Sequence, residues 1–280
     1  MINTFFTLAE FNENYLVEIS SAAKVYERRK ESGMEDFSLS TFEFVFISDS
    51  KDKLEKLGQF LIANYNYQTD EISEGDDNWE LSGVSTEFPV DKDNLVYWVL
   101  GMYCKGHKFD CKLDGYGAFD DPEDQTFLEI DASFYDRYFD LAMECYDKRN
   151  LGMGIIHFST AIRINPEDPN AWYSRAILKD ELNTPKAARL DYDKAVELAP
   201  DFIDAIINRA ANKDEAGEYD DAIADYSFAI TLRPEEGLAY FNRANSKLRK
   251  GDKAGACEDW SKAKELGYEY AEESLNRNCA

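Results

Sequence analysis

Prolines recur at one constant interval in the second half of this chain, at positions 166, 200 and 234, and Tyr268 holds the next place in their series. Other positions keep the same step: small residues recur at three places in each period, and an aromatic residue follows one of them by four positions. A fixed period of this length predicts a stack of helical repeats. The matching columns are Pro166, Pro200 and Pro234; Ala161, Ala195, Ala229 and Ala263; Ala142, Ala176, Ala210 and Ala244; Gly154, Ala188, Ala222 and Ala256; and Phe158, Tyr192, Tyr226 and Trp260.

Small residues at fixed places allow two antiparallel helices to approach closely, and proline ends the second helix at a turn. The pattern resembles the tetratricopeptide repeat, whose Trp, small, Ala, aromatic, Ala and Pro positions are occupied by Trp172, Ala176, Ala188, Tyr192, Ala195 and Pro200. The resemblance covers about residues 134–280. It predicts an all-α solenoid of four helix pairs at 135–168, 169–202, 203–236 and 237–270, followed by a short cap at 271–280.

Charged residues also keep the step of the repeat. Arginines at 175, 209 and 243 are followed, always at the same spacing, by aspartates at 191, 225 and 259, so a helical hairpin should bring each pair together. We expect a structural ladder of ion pairs rather than a ligand site. Lysines at 179, 213 and 247 stand where the repeat family has tyrosine, which predicts a more polar helix face. The first repeat has Leu141 and His157 at the ladder positions, so we interpret His157 as a packing residue.

The resemblance to tetratricopeptide repeats implies a groove, lined by the first helix of each pair, that binds an extended peptide or a partner helix. Acidic residues on that face favour a basic or mixed-charge ligand. A clamp for a C-terminal carboxylate is disfavoured, because only Asn208, Asn242 and Arg249 have suitable chemistry. The candidate partner-binding residues in this half are Phe139, Tyr146, Tyr173, Asp180, Glu181, Asn208, Asp214, Phe241, Asn242 and Asn245.

The first half of the chain alternates strand and helix patterns. The predicted segments are a strand at 41–48, a helix at 51–64, strands at 65–70 and 79–84, a helix from Asp91 to about Lys105, and a strand at 109–117. This βαββαβ order predicts an α+β domain of the ferredoxin-like type, followed by the repeat solenoid. We place the domain at 1–130, with a core at 37–119 and a helical lead-in at 1–33 whose clearest helix is 19–31. The acidic linker 120–124 joins it to the repeats at 134–280.

Residues of about 20–120 resemble RraB, the family of regulators of ribonuclease E activity. The resemblance lies in the helix Lys56-Leu57-Gly58-Gln59-Phe60-Leu61, in the strand Trp79-Glu80-Leu81 and in Leu113-Asp114-Gly115-Tyr116, a variant of a Tyr-Asp-Gly-Trp run. It implies a protein inhibitor that binds an endoribonuclease without catalysis of its own. Asp110, Asp114, Gly115 and Tyr116 are the candidate contacts. Taken from the residues alone, the Asp-Gly pair also suits a backbone turn, and Tyr116 also suits packing.

Composition limits the partners. The chain has 31 basic and 56 acidic residues, a formal net charge of −25, which repels nucleic-acid phosphates. Its start lacks the basic region and apolar core of a secretory signal, and no apolar run reaches the ~18 residues that span a membrane. Five cysteines without a C-x-x-C pair suggest reduced thiols. We therefore expect a cytoplasmic protein that binds neither membranes nor nucleic acid directly.

Signatures of catalysis are weak. The sequence has no phosphate-binding glycine loop, G-x-S-x-G or H-E-x-x-H. Cys104, His107 and Cys111 offer three soft ligands without an adjacent fourth, so we predict no metal and no cofactor. The sequence predicts a non-catalytic regulator that binds an endoribonuclease through the first domain and a second protein through the repeat groove. The alternatives are a repeat scaffold or immunity-type protein that occludes a basic effector, and an enzyme.

Overall fold

The chain divides into two compact units between Asn165 and Pro166. A computed structural model describes residues 3–127 and 131–279. The elements of the first unit are α1 (Leu8–Glu31), β1 (Ser38–Ser40), β2 (Glu43–Ser48), α2 (Lys51–Tyr65), β3 (Gln68–Thr69), β4 (Ser73–Glu74), β5 (Trp79–Val84), β6 (Phe88–Val90), α3 (Lys92–Lys108), β7 (Lys112–Gly117), α4 (Tyr135–Asp147) and α5 (Leu151–Ile164).

The main sheet of this unit has the strand order β3-β5-β2-β7, with β4 also paired to β5, and all of these pairs are antiparallel. Alternate residues of β2 are buried, as expected for a strand with one covered face. Phe44 and Phe46 on that face are fully buried, and the Phe46 ring lies against Gly106 of α3. The short pair β1–β6, joined at Leu39 and Pro89, was not predicted from the sequence.

The lead-in is one helix, α1, which is longer than the predicted 19–31. It begins with a capping box, in which the Thr7 hydroxyl accepts from the Glu10 backbone N–H and the Glu10 carboxylate accepts from the Thr7 backbone N–H. This cap stabilises the start of α1 at Leu8, which the hydrophobic periodicity of the sequence did not indicate.

Helices α4 and α5 form the first repeat, and α5 packs against α3 within the first unit. Two glycines allow this contact: a side chain at Gly152 would collide with the carbonyl oxygen of Tyr97, and one at Gly101 would press on the Gly152 backbone. The compact units therefore divide after the first repeat, whereas the sequence suggested a boundary near residue 130. The reason is a backbone approach between two segments that are distant in the sequence, which no repeat pattern reveals.

The second unit consists of the remaining helices. They are α6 (Pro169–Glu181), α7 (Pro185–Leu198), α8 (Ile203–Glu215), α9 (Tyr219–Leu232), α10 (Gly237–Lys250), α11 (Lys253–Glu265) and α12 (Ala271–Asn278). Successive helices pair as hairpins, α6 with α7, α8 with α9, and α10 with α11. Small and aromatic columns of the sequence form the buried clusters between helices, such as Ala176 and Ala188 around Tyr192, and Ala244 and Ala256 around Trp260.

The predicted ladder of ion pairs is confirmed. Each arginine binds its aspartate with two parallel hydrogen bonds of 2.7–2.9 Å, which is the strong bidentate geometry. The lysines complete each rung, because their Nζ atoms lie 2.7–2.8 Å from the same carboxylates. The lysines thus face a buried partner instead of making a polar surface. The three rungs are Arg175–Asp191–Lys179, Arg209–Asp225–Lys213 and Arg243–Asp259–Lys247.

The expectation of five reduced cysteines is wrong for two of them. Cys257 of α11 and Cys279 form a disulfide with a Cα–Cα distance of 5.9 Å. Helix α12 folds back so that Leu275 and Cys279 pack on the cluster around Trp260, which brings the two cysteines together. Cys104, Cys111 and Cys145 are free thiols.

We predict that Asp191→Asn lowers the free energy of unfolding by about 3 kcal/mol, because it removes the buried negative charge that Arg175 and Lys179 share. The Asp191 side chain is only 3% exposed. Chemical denaturation measures the change. The matched control is Asp193→Asn on the same helix, where the side chain is 50% exposed and the expected change is within about 0.5 kcal/mol. Equal losses in the two variants would contradict the ladder's role.

His157 stacks on Tyr138 with ring centroids 6.2 Å apart, and burial lowers its pKa to about 4. Because the unfolded chain binds the proton more tightly, this residue costs stability as the pH falls from about 6.5 towards 4. We predict that the loss of unfolding free energy between pH 7 and pH 4.5 is roughly 2 kcal/mol smaller in His157→Gln than in the unaltered chain. Urea titrations at both pH values measure it, and identical losses would refute a neutral buried imidazole.

Candidate functional site

A groove of about 410 Å³ lies between α6 and α8 of the second unit. Among the described residues, its lining contains three carboxylates, those of Asp180, Glu181 and Glu215, and no lysine, arginine or histidine. The other lining residues are Ile177, Asn183, Pro185, Tyr192, Asn208, Ala211 and Asn212. Helices α6 and α8 are the first helices of two successive repeats, so the groove lies on the face that the sequence predicted.

Hydrogen bonds fix the floor of this acidic groove. The buried Tyr192 hydroxyl donates to Asp180, and Asn208 donates to the Tyr173 hydroxyl at 3.2 Å. Burial raises the pKa of Asp180, against the hydrogen bonds from Tyr192 and Asn212. A carboxylate that has lost part of its hydration is stabilised by an added cation. Three of the predicted contacts, Asp180, Glu181 and Asn208, therefore line the groove, and a fourth, Tyr173, lies beside it through its hydrogen bond with Asn208.

Asn212 is a groove residue that the sequence analysis missed. It is buried, its amide donates to Asp180 at 3.0 Å and to the Pro185 carbonyl at 2.9 Å, and its oxygen accepts from Arg189 at 2.7 Å. Both the amide nitrogen and the oxygen of this side chain are used, which holds α6, α7 and α8 in register. The sequence offers no signal for it, because the same place in the other repeats is occupied by Glu144, Leu178 and Ser246.

A second cavity of about 540 Å³ adjoins the acidic groove and shares Pro185, Asn212 and Glu215 with it. Arg189 and Lys186 line this neighbour, and Arg189 also pairs with Glu218 at 2.9 Å. The acidic groove thus borders a mixed-charge region that lies along α7 and α8. An occupant longer than a single side chain would meet both environments.

The remaining predicted contacts of the second unit have internal partners. Asp214 is buried against Arg249, and the Asn245 oxygen accepts from the Trp260 indole at 3.2 Å. Phe241 packs on Tyr268 with ring centroids 4.8 Å apart, and Asn242 hydrogen-bonds Tyr226. These four residues support the helices and lie outside the lining of the acidic groove.

Two of the contacts predicted in the repeat half belong to the first unit. Phe139 packs on Phe158 of α5, with ring centroids 5.2 Å apart. Tyr146 lies beside the Arg149 guanidinium at 5.9 Å. Both side chains are half-buried.

Asp110 ties down the amino-terminal segment. It has a left-handed backbone (φ 56°) after α3, and its carboxylate accepts from the backbone N–H groups of Thr4, Phe5 and Phe6 and pairs with Lys53 at 2.7 Å. Burial alone would raise its pKa, but these hydrogen bonds hold the pKa well below the usual range. Because the Asp110 carboxylate is buried and bound to partners within the unit, its position does not favour a direct contact with a partner protein.

Asp114, Gly115 and Tyr116 lie together on β7. Asp114 is exposed, whereas the Tyr116 ring packs edge-on against Trp98 with centroids 6.1 Å apart. All three line a cavity of about 680 Å³ beside α1. Within the described residues no cluster of three metal-ligating side chains occurs, and no helix is long and apolar enough to cross a membrane.

The class of protein follows from the helical pairs, their packing columns and the groove. Residues 169–202 and 208–264 match models of the tetratricopeptide repeat, so the second unit is built of such repeats. Tetratricopeptide repeats bind protein partners. The matches lie in the carboxyl-terminal half and give no support to the RraB resemblance of the first domain.

Solved structures with similar repeats share little sequence with this chain. MamA is 21% identical with a TM-score of 0.46, over 49% of this chain and 81% of MamA. YrrB, a tetratricopeptide-repeat protein with an unusual peptide-binding site, is 18% identical with a TM-score of 0.48, over 64% and 82%. PilF of Pseudomonas aeruginosa is 23% identical with a TM-score of 0.44, over 48% and 62%. No curated protein matches the chain.

Proposed function

We propose that this protein is a non-catalytic interaction regulator whose acidic groove binds a basic segment of a partner protein. The observation that carries the proposal is the described lining of the groove between α6 and α8, where three carboxylates converge and the other side chains are uncharged. A lysine or arginine of the partner would bring positive charge to this lining. The chain's net charge of −25 adds long-range attraction to such a partner.

The chemistry of the groove supports binding rather than catalysis. Its polar groups are carboxylates, amides and a tyrosine whose pKa is raised by burial. The two histidines of the chain lie in the first unit, with His107 packed on Phe11 at 4.5 Å between centroids and His157 on Tyr138. The unit that contains the groove therefore supplies no imidazole to act as a general base beside these carboxylates.

We predict that a fluorescein-labelled peptide of alternating lysine and leucine binds the intact chain, and that the double variant Glu181→Gln/Glu215→Gln weakens binding about 3- to 10-fold. The dependence of affinity on salt should weaken too, because two charges are lost. Fluorescence anisotropy at several salt concentrations measures both quantities. Glu258→Gln on the exposed side of α11 is the matched control and should bind as the unaltered chain does. Equal affinity of all three proteins would refute the groove assignment.

We propose further that residues 1–130 of the first unit form an RraB-like, ferredoxin-like domain that regulates an endoribonuclease. The support is the RraB-like sequence pattern together with the antiparallel strand order β3-β5-β2-β7, which suits a ferredoxin-like sheet. Asp114 is the exposed member of the Leu113-Asp114-Gly115-Tyr116 run that carries the resemblance. A protein in this role would work in the cytoplasm, although the Cys257–Cys279 disulfide is more typical of oxidising compartments.

This second role predicts that the full chain slows cleavage of a fluorescent single-stranded RNA by ribonuclease E. Asp114→Lys should abolish the effect, because the charge at the centre of the family-like run is reversed. Asp124→Lys in the exposed linker provides the control and should inhibit normally. Unchanged cleavage at saturating protein would remove the ribonuclease role and leave the alternative, a repeat scaffold or immunity-type protein that occludes a basic effector.

A further inference from the structure

Strand β7 is an edge of the main sheet. Within residues 3–127 and 131–279 it pairs with β2 alone, so its other edge has backbone N–H and C=O groups without a strand partner. The register with β2 shifts once, at Asp114, and is regular from Gly115 to Gly117. An unpaired, regular edge is the feature to which a further strand can add.

A groove runs beside this edge, between β7 and α1. One cavity of about 680 Å³ is lined by Leu113 to Tyr116 on the strand side and by Ser21, Val25 and Arg28 on the helix side. A second cavity of about 430 Å³ continues it, since it shares Val25, Arg28 and Tyr116 and reaches Phe119. Helix α1 meets β7 at its first residue, where Lys112 pairs with Glu10 at 3.1 Å, and the two cavities separate it from the rest of the strand, which leaves room for an extended chain.

The walls of this α1–β7 groove suit a polypeptide. Val25, Leu113 and Tyr116 offer an apolar surface, and Phe119 at the end of the groove is 90% exposed. The strand residues Gly115 and Gly117 have no neighbouring atoms where a side chain would stand, so the face of the sheet is open there. The Tyr116 hydroxyl is buried and has no hydrogen-bond partner among the described residues.

Charge indicates the kind of segment. The larger cavity is lined by four acids and two bases, which favours basic residues on the occupant. Burial raises the pKa of Glu18, one of those acids. The acids and bases are Glu18, Glu27, Glu31 and Asp114, and Lys24 and Arg28.

We propose that the α1–β7 groove binds an extended, basic segment of a partner protein, which adds as a strand to the free edge of β7. Backbone hydrogen bonds to residues 115–117 hold the segment, and an apolar side chain rests on Val25, Leu113 and Tyr116. The surface lies in the first unit and is separate from the acidic groove between α6 and α8. Its existence does not depend on the proposed function of that groove.

The test uses the full chain carrying Glu181→Gln/Glu215→Gln, so that the acidic groove competes less for the peptide. The probe is the peptide acetyl-Lys-Val-Arg-Val-Lys-Val-amide, compared with two forms that are N-methylated on alternate backbone nitrogens. Strand addition uses the N–H groups of one edge only. One methylated form should therefore bind about tenfold or more weakly, while the other binds within about twofold of the parent peptide.

Two neighbouring serines of α1 supply matched variants. Ser21 lines the groove, whereas Ser20 is exposed and lies outside its lining. Ser21→Trp should fill the groove and abolish binding, and Ser20→Trp should bind as the parent does. Circular dichroism checks that both variants fold, and the methylated peptides test the idea without any change to the protein.

Amide hydrogen exchange supplies the last readout. Bound peptide should slow the exchange of amides within residues 115–117 in the parent and in Ser20→Trp. The proposal is overturned by equal binding of both methylated peptides, by binding that survives Ser21→Trp, or by no binding at millimolar peptide. It is also overturned if the edge is occupied by a second copy of the chain, seen as a dimer that the peptide does not dissociate.

Discussion

The carboxylates of Asp191, Asp225 and Asp259 are the constraint on which the repeat unit depends. Each one joins the two helices of a hairpin through an arginine and a lysine, and each is nearly excluded from water. Removing a partner of a buried ion pair is strongly destabilising. The geometry of these ion pairs therefore fixes how one helix of the pair is rotated against the other. That rotation also determines which side chains of α6 and α8 point into the groove.

Packing and ion pairing within each repeat explain which parts of the structure could be predicted from the sequence. The helix pairs were predictable because close packing requires a small residue at the same place in every repeat, as at Ala176, Ala210 and Ala244. The ion pairs were predictable too, because the constant spacing from arginine to aspartate places the two residues side by side in every helical hairpin. The lysines were not, because replacement of a family tyrosine looks like a change of surface until the carboxylate is seen to lie within reach.

The site was less predictable than the fold. Asp180 and Asn208 could be placed on a groove face from the period. Asn212 acts through partners on two other helices, α6 and α7, and no pattern along the sequence predicts such a set. Asp110 shows the same limit. It lies close to the Leu113-Asp114-Gly115-Tyr116 run in the sequence, but its carboxylate accepts hydrogen bonds from the backbone of the distant amino-terminal segment. The disulfide is a third case, since it depends on α12 folding back on α11.

The contact between Gly101 and Gly152 has a consequence for comparing this chain with others. Neither glycine has a side chain, and the backbones of α3 and α5 therefore come into direct contact at these two positions. A related sequence with glycine at both places would be expected to carry its first repeat as part of the α/β unit. A larger residue at the place of Gly152 would collide with the Tyr97 carbonyl oxygen and force the repeat to pack elsewhere, whereas a small side chain at the place of Gly101 would require only a slight shift of α5. Two positions thus act as a diagnostic for whether the unit ends before its first helical hairpin or after it.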